Sequence, residues 1–413
     1  MSRTEQVQVK TKGHFPVFKS QVLRNRTLLA VSLTVFAAYT GIGMVGPVRV
    51  LYAQSRGASL AIIGAMASSY LISNFIFQYP VGWLADRWGR KPMLIAGLLA
   101  EAALSAVYLV ITDPVTFIAL RFLEGIAAAV LLPSARALIN DTVPEAQQGE
   151  AYGIFGAFFN GGFLLGPGIG GALASLGYAV PFIGAVLFRL VAVVLVVTLI
   201  REIRGRSSAG TEKLAGRGIP YRLLFTIPLV ATYLIAFGDY LYVGFDLTLM
   251  PLWMHDHLGA SVAIIGLAYM AWAVPNMIVS PIGGRLADRR RRSTLILIFG
   301  LAQVPLYLVY GLTNTWLLVV IGFAVHGVFY SLVQPAVDAQ VATSAAPSMR
   351  AGVQGLYSTF GLLGAFIGNS GFSPLYEINF RYPMFAIGAA FFVCILTGGL
   401  LVRVGEQRKQ SVI

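Results

Sequence analysis

The chain is 413 residues long, 57% hydrophobic and only 11% charged, with a mean hydropathy of +0.75. So few charged side chains cannot clothe a water-soluble fold of this size, so the composition excludes that class and asks for lipid as the solvent. The net charge of +13 would point to nucleic acid in a soluble protein, but here it sits in short segments between apolar runs, which argues for membrane topology and against a nucleic-acid partner.

Runs of about 20 apolar residues, the length at which a helix crosses the hydrocarbon, recur along the chain. They predict spans at 27–47, 61–81, 93–112, 117–140, 151–173, 181–200, 224–250, 262–282, 294–312, 316–339, 352–373 and 382–402. The fold class expected is an all-α membrane protein of 12 transmembrane helices. Six basic residues (Arg3, Lys10, Lys12, Lys19, Arg24 and Arg26) precede the first span. That span is longer than the core of a signal peptide and no small-residue cleavage site follows it, so it reads as a retained helix. Of the 30 Lys and Arg, the predicted outer loops hold only Arg49, Arg56 and Arg381, while Arg121 and Arg189 fall within spans. That asymmetry is the positive-inside pattern and predicts both termini in the cytoplasm. A lone cysteine, Cys394, excludes a disulfide within the chain, and its expected role is packing.

Between spans 2 and 3 the chain reads GWLADRWGRK (82–91), and 202 residues later it reads GRLADRRRRS, again between apolar runs. The same offset matches SLAIIG (59–64) to SVAIIG (261–266), Gly125 to Gly327, Pro133 to Pro335 and Pro181 to Pro383. Two homologous halves of six spans each therefore follow one another in the same orientation. The organisation predicted is a cytoplasmic tail (1–26), a first bundle (27–200), a basic Gly/Ser-rich linker (201–221), a second bundle (222–402) and a tail (403–413). Parallel halves of this kind are an architecture of secondary transporters, with the substrate site between them near the midplane.

The charged knot, with Gly82, Leu84, Ala85, Asp86, Arg87, Gly89, Arg90 and Lys91, resembles the motif G-x-L-A-D-R-x-G-R-K of the major facilitator superfamily. The resemblance covers essentially the whole chain. GFLLGPGIGG (162–171) fits the fifth-helix pattern G-x-x-x-G-P-x-x-G-G of the drug–proton antiporters, carried here by Gly162, Gly166, Pro167, Gly170 and Gly171. LRFLEGIAAA (120–129) is similar to their fourth-helix pattern L-x-R-x-x-Q-G, with Glu124 in the place of the glutamine. The resemblance implies that the knot locks the halves together on the cytoplasmic side. On that basis Asp86 is expected to meet the start of helix 11 near Gly352, and Arg90 to meet Asp141 at the end of helix 4. Asp288 and Arg289 echo the knot in the second half, where Gly89 is replaced by Arg291; that replacement predicts a weaker second latch. In the fifth helix the glycines fall four apart, a stripe that lets a neighbouring helix approach closely.

Ionisable residues near the centre of a span are expensive and usually face a cavity or a partner. Arg121 and Glu124 are three apart on one helix and can pair. Either this is a static ion pair, or Glu124 is a proton site tuned by Arg121. His326 stands at the offset of 202 from Glu124 and is a candidate relay or a hydrogen-bonded filler. Asp239, Tyr242 and Asp246 form a stripe on helix 7, with Asp246 nearer the outer surface and Asp239 the deeper candidate. Glu124 is expected to exchange protons for substrate, with Asp239 and His326 assisting and Arg121 tuning the acid. Tyr330 and Gln334 continue the stripe of His326, and Tyr39, Asn74 and Gln78 add polar edges to an apolar cleft. Glu101 and Arg189 lie on helices that the resemblance places at the periphery, and they read as structural.

No Walker A motif, H-E-x-x-H motif or nucleophile elbow is present, and HDH (255–257) reads as a solvated turn rather than a metal site. No enzyme activity, cofactor or metal is expected. The function expected is proton-coupled export of lipophilic, cationic small molecules by a monomer in a bacterial-type cytoplasmic membrane. The alternatives are a carrier or flippase for anionic amphiphiles using Arg121, and, more remotely, a receptor that transports nothing.

Overall fold

The computed structural model describes residues 25–144, 147–201, 224–344 and 349–410. Most of the expected N-terminal tail and of the linker lies outside them. The regular structure of the described residues is entirely helical. Six long helices form the first half: α1 (Arg26–Ser55), α2 (Leu60–Trp88), α3 (Arg90–Val107), α4 (Thr116–Thr142), α5 (Gln148–Ala174) and α6 (Val180–Leu199). Six more form the second: α7 (Ile227–Asp256), α8 (Val262–Arg289), α9 (Arg292–Leu312), α10 (Trp316–Ser344), α11 (Arg350–Ser370) and α12 (Tyr382–Gln410). A π-helical turn, Ile296–Gly300, interrupts α9, and a short helix, Ser373–Ile378, precedes α12. Of these helices, 10 are long and apolar enough to cross a membrane by length and composition.

The repeat in the sequence is a repeat in local structure. Ser59 caps α2 by accepting from the Ile62 amide, and its mate Ser261 caps α8 by accepting from the Ile264 amide, both at 3.3 Å. α1 packs on α5 and α6 as α7 packs on α11 and α12, and α2 packs on α4 as α8 packs on α10. The close approaches are made by glycines. A Cβ at Gly125 would overlap the Tyr70 carbonyl, and one at Gly327 would overlap the carbonyl of Trp272, the residue equivalent to Tyr70. Outside the spans, Asp113 precedes α4, and its hydrogen bonds from Thr116 hold its carboxyl below the usual range.

Two expectations change. The first span does not end at Pro47. α1 runs through that proline to Ser55, so Arg49 is a helical residue only 9% exposed, not part of an outer loop. Proline is tolerated there because packing against neighbouring helices compensates the one lost amide bond. Nor is the knot a loop. α2 continues to Trp88, Gly89 turns the chain at φ +101°, and α3 begins at Arg90. That turn demands glycine. Its counterpart Arg291 has φ −62°, so the second half turns differently, through Arg290 and Arg291.

The knot ties helix ends of its own half together. Arg90 Nη1 lies 3.0 Å from Asp141 Oδ2 at the end of α4. Lys91 Nζ donates to the carbonyls of Val197 and Ile200 at the end of α6, where a cation favours the helix terminus. Arg292, the mate of Arg90, donates to the Ala339 carbonyl and to Oγ1 of Thr343, the mate of Asp141. Arg87 is exposed over the Trp83 ring, and Asp288 and Arg289 are exposed at the end of α8. Gly82 is half-buried with open space where a Cβ would be. The expected contact of Asp86 with the region of Gly352 falls on side chains outside the described residues.

The halves meet on the side away from the knot. Ser68 and Ser370 hydroxyls lie 2.6 Å apart, joining α2 to α11. Gly171 faces the Val262 carbonyl and Gly266 faces the Pro167 carbonyl, joining α5 to α8.

Candidate functional site

Between the halves lie two adjoining cavities that share Phe163, Pro167, Leu247 and Tyr269 in their walls. The first, of about 200 Å³, belongs mainly to the first half. There α4 places Arg121 and Glu124 on one face, and Arg121 Nη1 lies 2.7 Å from Glu124 Oε2. The extension of α1 brings a second guanidinium: Arg49 Nη2 lies 3.4 Å from Glu124 Oε1. Glu124 is 3% exposed, so its charge is matched by these cations rather than by bulk water. The Arg121 guanidinium sits over the Tyr70 ring, 4.0 Å from its centroid, which anchors it further. Glu101 on α3 and Arg189 on α6 pair at 2.9 Å in the wall of the same cavity, a neutral strut between two outer helices.

The second cavity, of about 140 Å³, belongs to the second half. The stripe on α7 delivers Asp239, Tyr242 and Asp246 to it, and α10 delivers His326 and Tyr330. The His326 ring packs against Tyr242 at 4.6 Å, and its Nδ1 is buried without a hydrogen-bond partner among the described residues. Asp246 is half-buried rather than superficial. Asp239 is 9% exposed, and no described side chain or amide hydrogen-bonds its carboxylate.

Several expected cleft residues line neither cavity. Tyr39 packs on Phe159, with ring centroids 4.4 Å apart. Asn74 donates to the Gly125 carbonyl and accepts from Gln78, binding α2 to α4. Gln334 donates to Asp338 and to Tyr357. Conversely, Arg49, Tyr70, Tyr269 and Trp272 are site residues that the sequence reading did not single out. The offset of 202 pairs Tyr70 with Trp272 and would have drawn attention to both. Arg49 is an isolated cation among apolar residues (GPVRVLYA), which was its signal.

The glycine stripe of α5 faces α1. Cβ atoms at Gly162, Gly166 and Gly170 would press into the backbone at Phe36, Thr40, Gly43 and Met44. Gly364 and Gly368 of α11 meet Phe237 and Leu241 of α7 in the same way. Pro167 and Gly171 lie on the side of α5 that meets α8. This motif therefore sets how closely α1, which carries Arg49, approaches the cavity wall.

Comparison with known proteins agrees with this architecture. The chain is 25% identical over 394 residues to the quinolone resistance protein NorA of Staphylococcus aureus (strain COL), covering 94% of this chain and 98% of that one. It is 26% identical over 408 residues to multidrug resistance protein 2 of Bacillus subtilis (strain 168), covering 95% and 99%. Its fold matches the inward-facing, unoccupied crystal structure of a bacterial homologue of the human lysosomal transporter Spinster, with TM-score 0.74 and 16% identity over 93% of this chain and 98% of that one. It matches a D-xylose–proton symporter with TM-score 0.71 and 15% identity over 92% and 97%. The family model described as Major Facilitator Superfamily matches residues 31–249 and 232–412. With two equivalent six-helix halves around a shared cleft, the chain is a multi-pass membrane transporter and belongs to the major facilitator superfamily.

Proposed function

We propose that this transporter exports lipophilic cationic small molecules in exchange for protons, by alternating access to the cleft between its halves. The observation that carries the reading is the second cavity, where Asp239 and Asp246 stand among Tyr242, Tyr269, Trp272 and Tyr330. Aromatic faces attract an organic cation, and a carboxylate supplies its counter-charge. The apolar walls favour a greasy ion over a hydrated one. Similarity to quinolone and multidrug resistance proteins supports export as the direction.

Asp239 is the group to exchange a proton for the substrate cation, because its carboxylate lines the cavity without a hydrogen-bond partner among the described residues. The oxygens of Glu124 are each engaged by a guanidinium. In this reading Glu124, Arg121 and Arg49 set the charge of the first cavity, and His326 assists Asp239 from α10. With the knot and both termini in the cytoplasm of a bacterial-type cell, the contacts on the far side seal the outside. The cleft then loads from within. The transporter works as a monomer, since both halves of the cleft come from one chain.

Proteoliposomes with a lumen more acidic than the bath test this. The wild-type protein should accumulate a fluorescent lipophilic cation, and Asp239→Asn should lose the gradient-driven part of that uptake. Uptake that ignores the pH gradient, or a fully coupled Asp239→Asn, would sink the proposal.

A further inference from the structure

We infer that the first cavity is a carboxylate subsite, and that the substrate filling both cavities is a zwitterion with an anionic end and an ammonium end on one apolar body. The inference rests on the efflux reading, which places the ammonium in the second cavity, and adds a partner for the cations of the first.

Three guanidiniums, of Arg49, Arg121 and Arg189, and two carboxylates, of Glu101 and Glu124, line the first cavity. Arg189 Nε and Glu101 Oε2 close on each other at 2.9 Å, so the two charges cancel, although Arg189 Nη1 is buried without an acceptor among the described residues. Two guanidiniums are left on a single carboxylate. Arg121 holds the short bond to Glu124 at 2.7 Å and is also seated on Tyr70. Arg49 reaches the other oxygen only at 3.4 Å and lies over the Tyr108 ring at 5.6 Å, and its Nε is buried without an acceptor among the described residues. A guanidinium carries donors in a planar fork that matches a carboxylate, and buried polar groups are ordinarily satisfied. The unfilled donor on Arg49, at 9% exposure beside a cavity, is therefore a place for an acid group of the ligand.

The two cavities share walls, so one ligand can enter both. They differ in charge: among the described residues the first has a cation in excess, and the second has Asp239 and Asp246 and no Lys or Arg in its lining. A simple cation answers the second and leaves the Arg49 Nε without an acceptor. A simple anion answers the first and leaves the aspartates. A molecule with a carboxylate and an ammonium at opposite ends of an aromatic body answers both, with Phe163 and Tyr269 along its middle.

The test measures binding of two probes to the purified full-length protein in lipid nanodiscs: an aminomethyl-naphthalene carboxylic acid and its methyl ester, which keeps the amine and removes the negative charge. The wild-type protein should bind the acid at least about tenfold more tightly than the ester. Arg49→Gln should erase that preference, weakening the acid at least about tenfold more than the ester. Arg49→Lys, which keeps the charge without the fork, should recover part of the preference and carries the comparison if the Gln variant does not fold. Equal wild-type affinity for acid and ester overturns the carboxylate subsite alone. Equal loss of both probes in the Arg49 variants assigns Arg49 to structure and overturns it too. A wild-type protein that binds neither probe overturns the efflux reading together with the inference.

Discussion

Gln54 and Asp256 occupy the same place in the two halves, 202 residues apart, and their side chains meet: Gln54 Nε2 donates to Asp256 Oδ2 at 2.6 Å. Residues related by the pseudo-twofold axis can touch only near that axis, so the axis passes close to this contact on the side away from the knot. The repeat has diverged here into an amide and an acid, which turns a symmetric juxtaposition into a charge-assisted hydrogen bond. Opening the cleft on that side must break it.

Gln54→Ala should therefore favour the conformation open on the far side. The bond is exposed, so the shift amounts to about 1 kcal/mol, or roughly fivefold in population. Distances between spin labels placed on α1 and α7 beyond this contact would show a larger fraction of long separations. An unchanged distribution would mean that the contact does not help to hold the halves together.

Two glycines of α5 give a prediction with opposite signs. A Cβ at Gly166 would sit 2.6 Å from the Gly43 Cα and 2.7 Å from the Thr40 oxygen, both backbone atoms. Gly166→Ala should lower thermal stability by about 1–3 kcal/mol and impair transport, because α1 and α5 must separate. At Gly156 a Cβ would meet nothing within 4 Å. Gly156→Ala should hold or raise the melting temperature, as alanine is the better helix former by about 1 kcal/mol. Equal effects at the two positions would remove the close-packing account of the motif.

Much of this fold is legible in the sequence because lipid imposes long apolar runs and because the gene duplication leaves an offset that pairs residues. Ser59 with Ser261 and Gly125 with Gly327 play the same local parts in both halves. The site is less legible. Arg121 with Glu124 lies within one helical turn, and spacing alone brings them together. The bond of Arg49 to Glu124 joins α1 to α4 across 75 residues, and the first apolar run reads as ending before Arg49. Asn74 and Gln334 show the opposite failure. Their polar character suggested a cleft lining, but each spends its amide within its own half, because an unmet amide inside a membrane is costly.

The Glu101–Arg189 pair joins α3 to α6, at 8% and 2% side-chain exposure, and its worth depends on what replaces it. Arg189→Met alone leaves the Glu101 carboxylate buried without its cation and should cost about 3–5 kcal/mol. Adding Glu101→Leu should recover most of that loss, because a packed apolar pair carries no desolvation penalty. Thermal unfolding of the two single variants and the double variant checks this as a double-mutant cycle. Additive losses would mean that the two groups act separately.

The two versions of the knot predict an asymmetry between the halves. Arg90 meets a charged acceptor, Asp141, with side chains 13% and 20% exposed. Arg292, in the equivalent place, has neutral acceptors, the Ala339 carbonyl, Gln340 and Thr343. Asp141→Asn removes the charge from its pair and should cost about 1 kcal/mol, since the pair is partly screened by solvent. Thr343→Val removes one of three acceptors and leaves the carbonyl in place, so its cost should be less than half as large. Raising the salt to about one molar shortens the screening length to about 3 Å and should narrow the gap between the variants by weakening only the charged version. Melting temperatures at low and high salt test both statements. Equal costs at low salt would show that the Arg90–Asp141 charge pair adds nothing beyond the hydrogen bond that its neutral counterpart already makes.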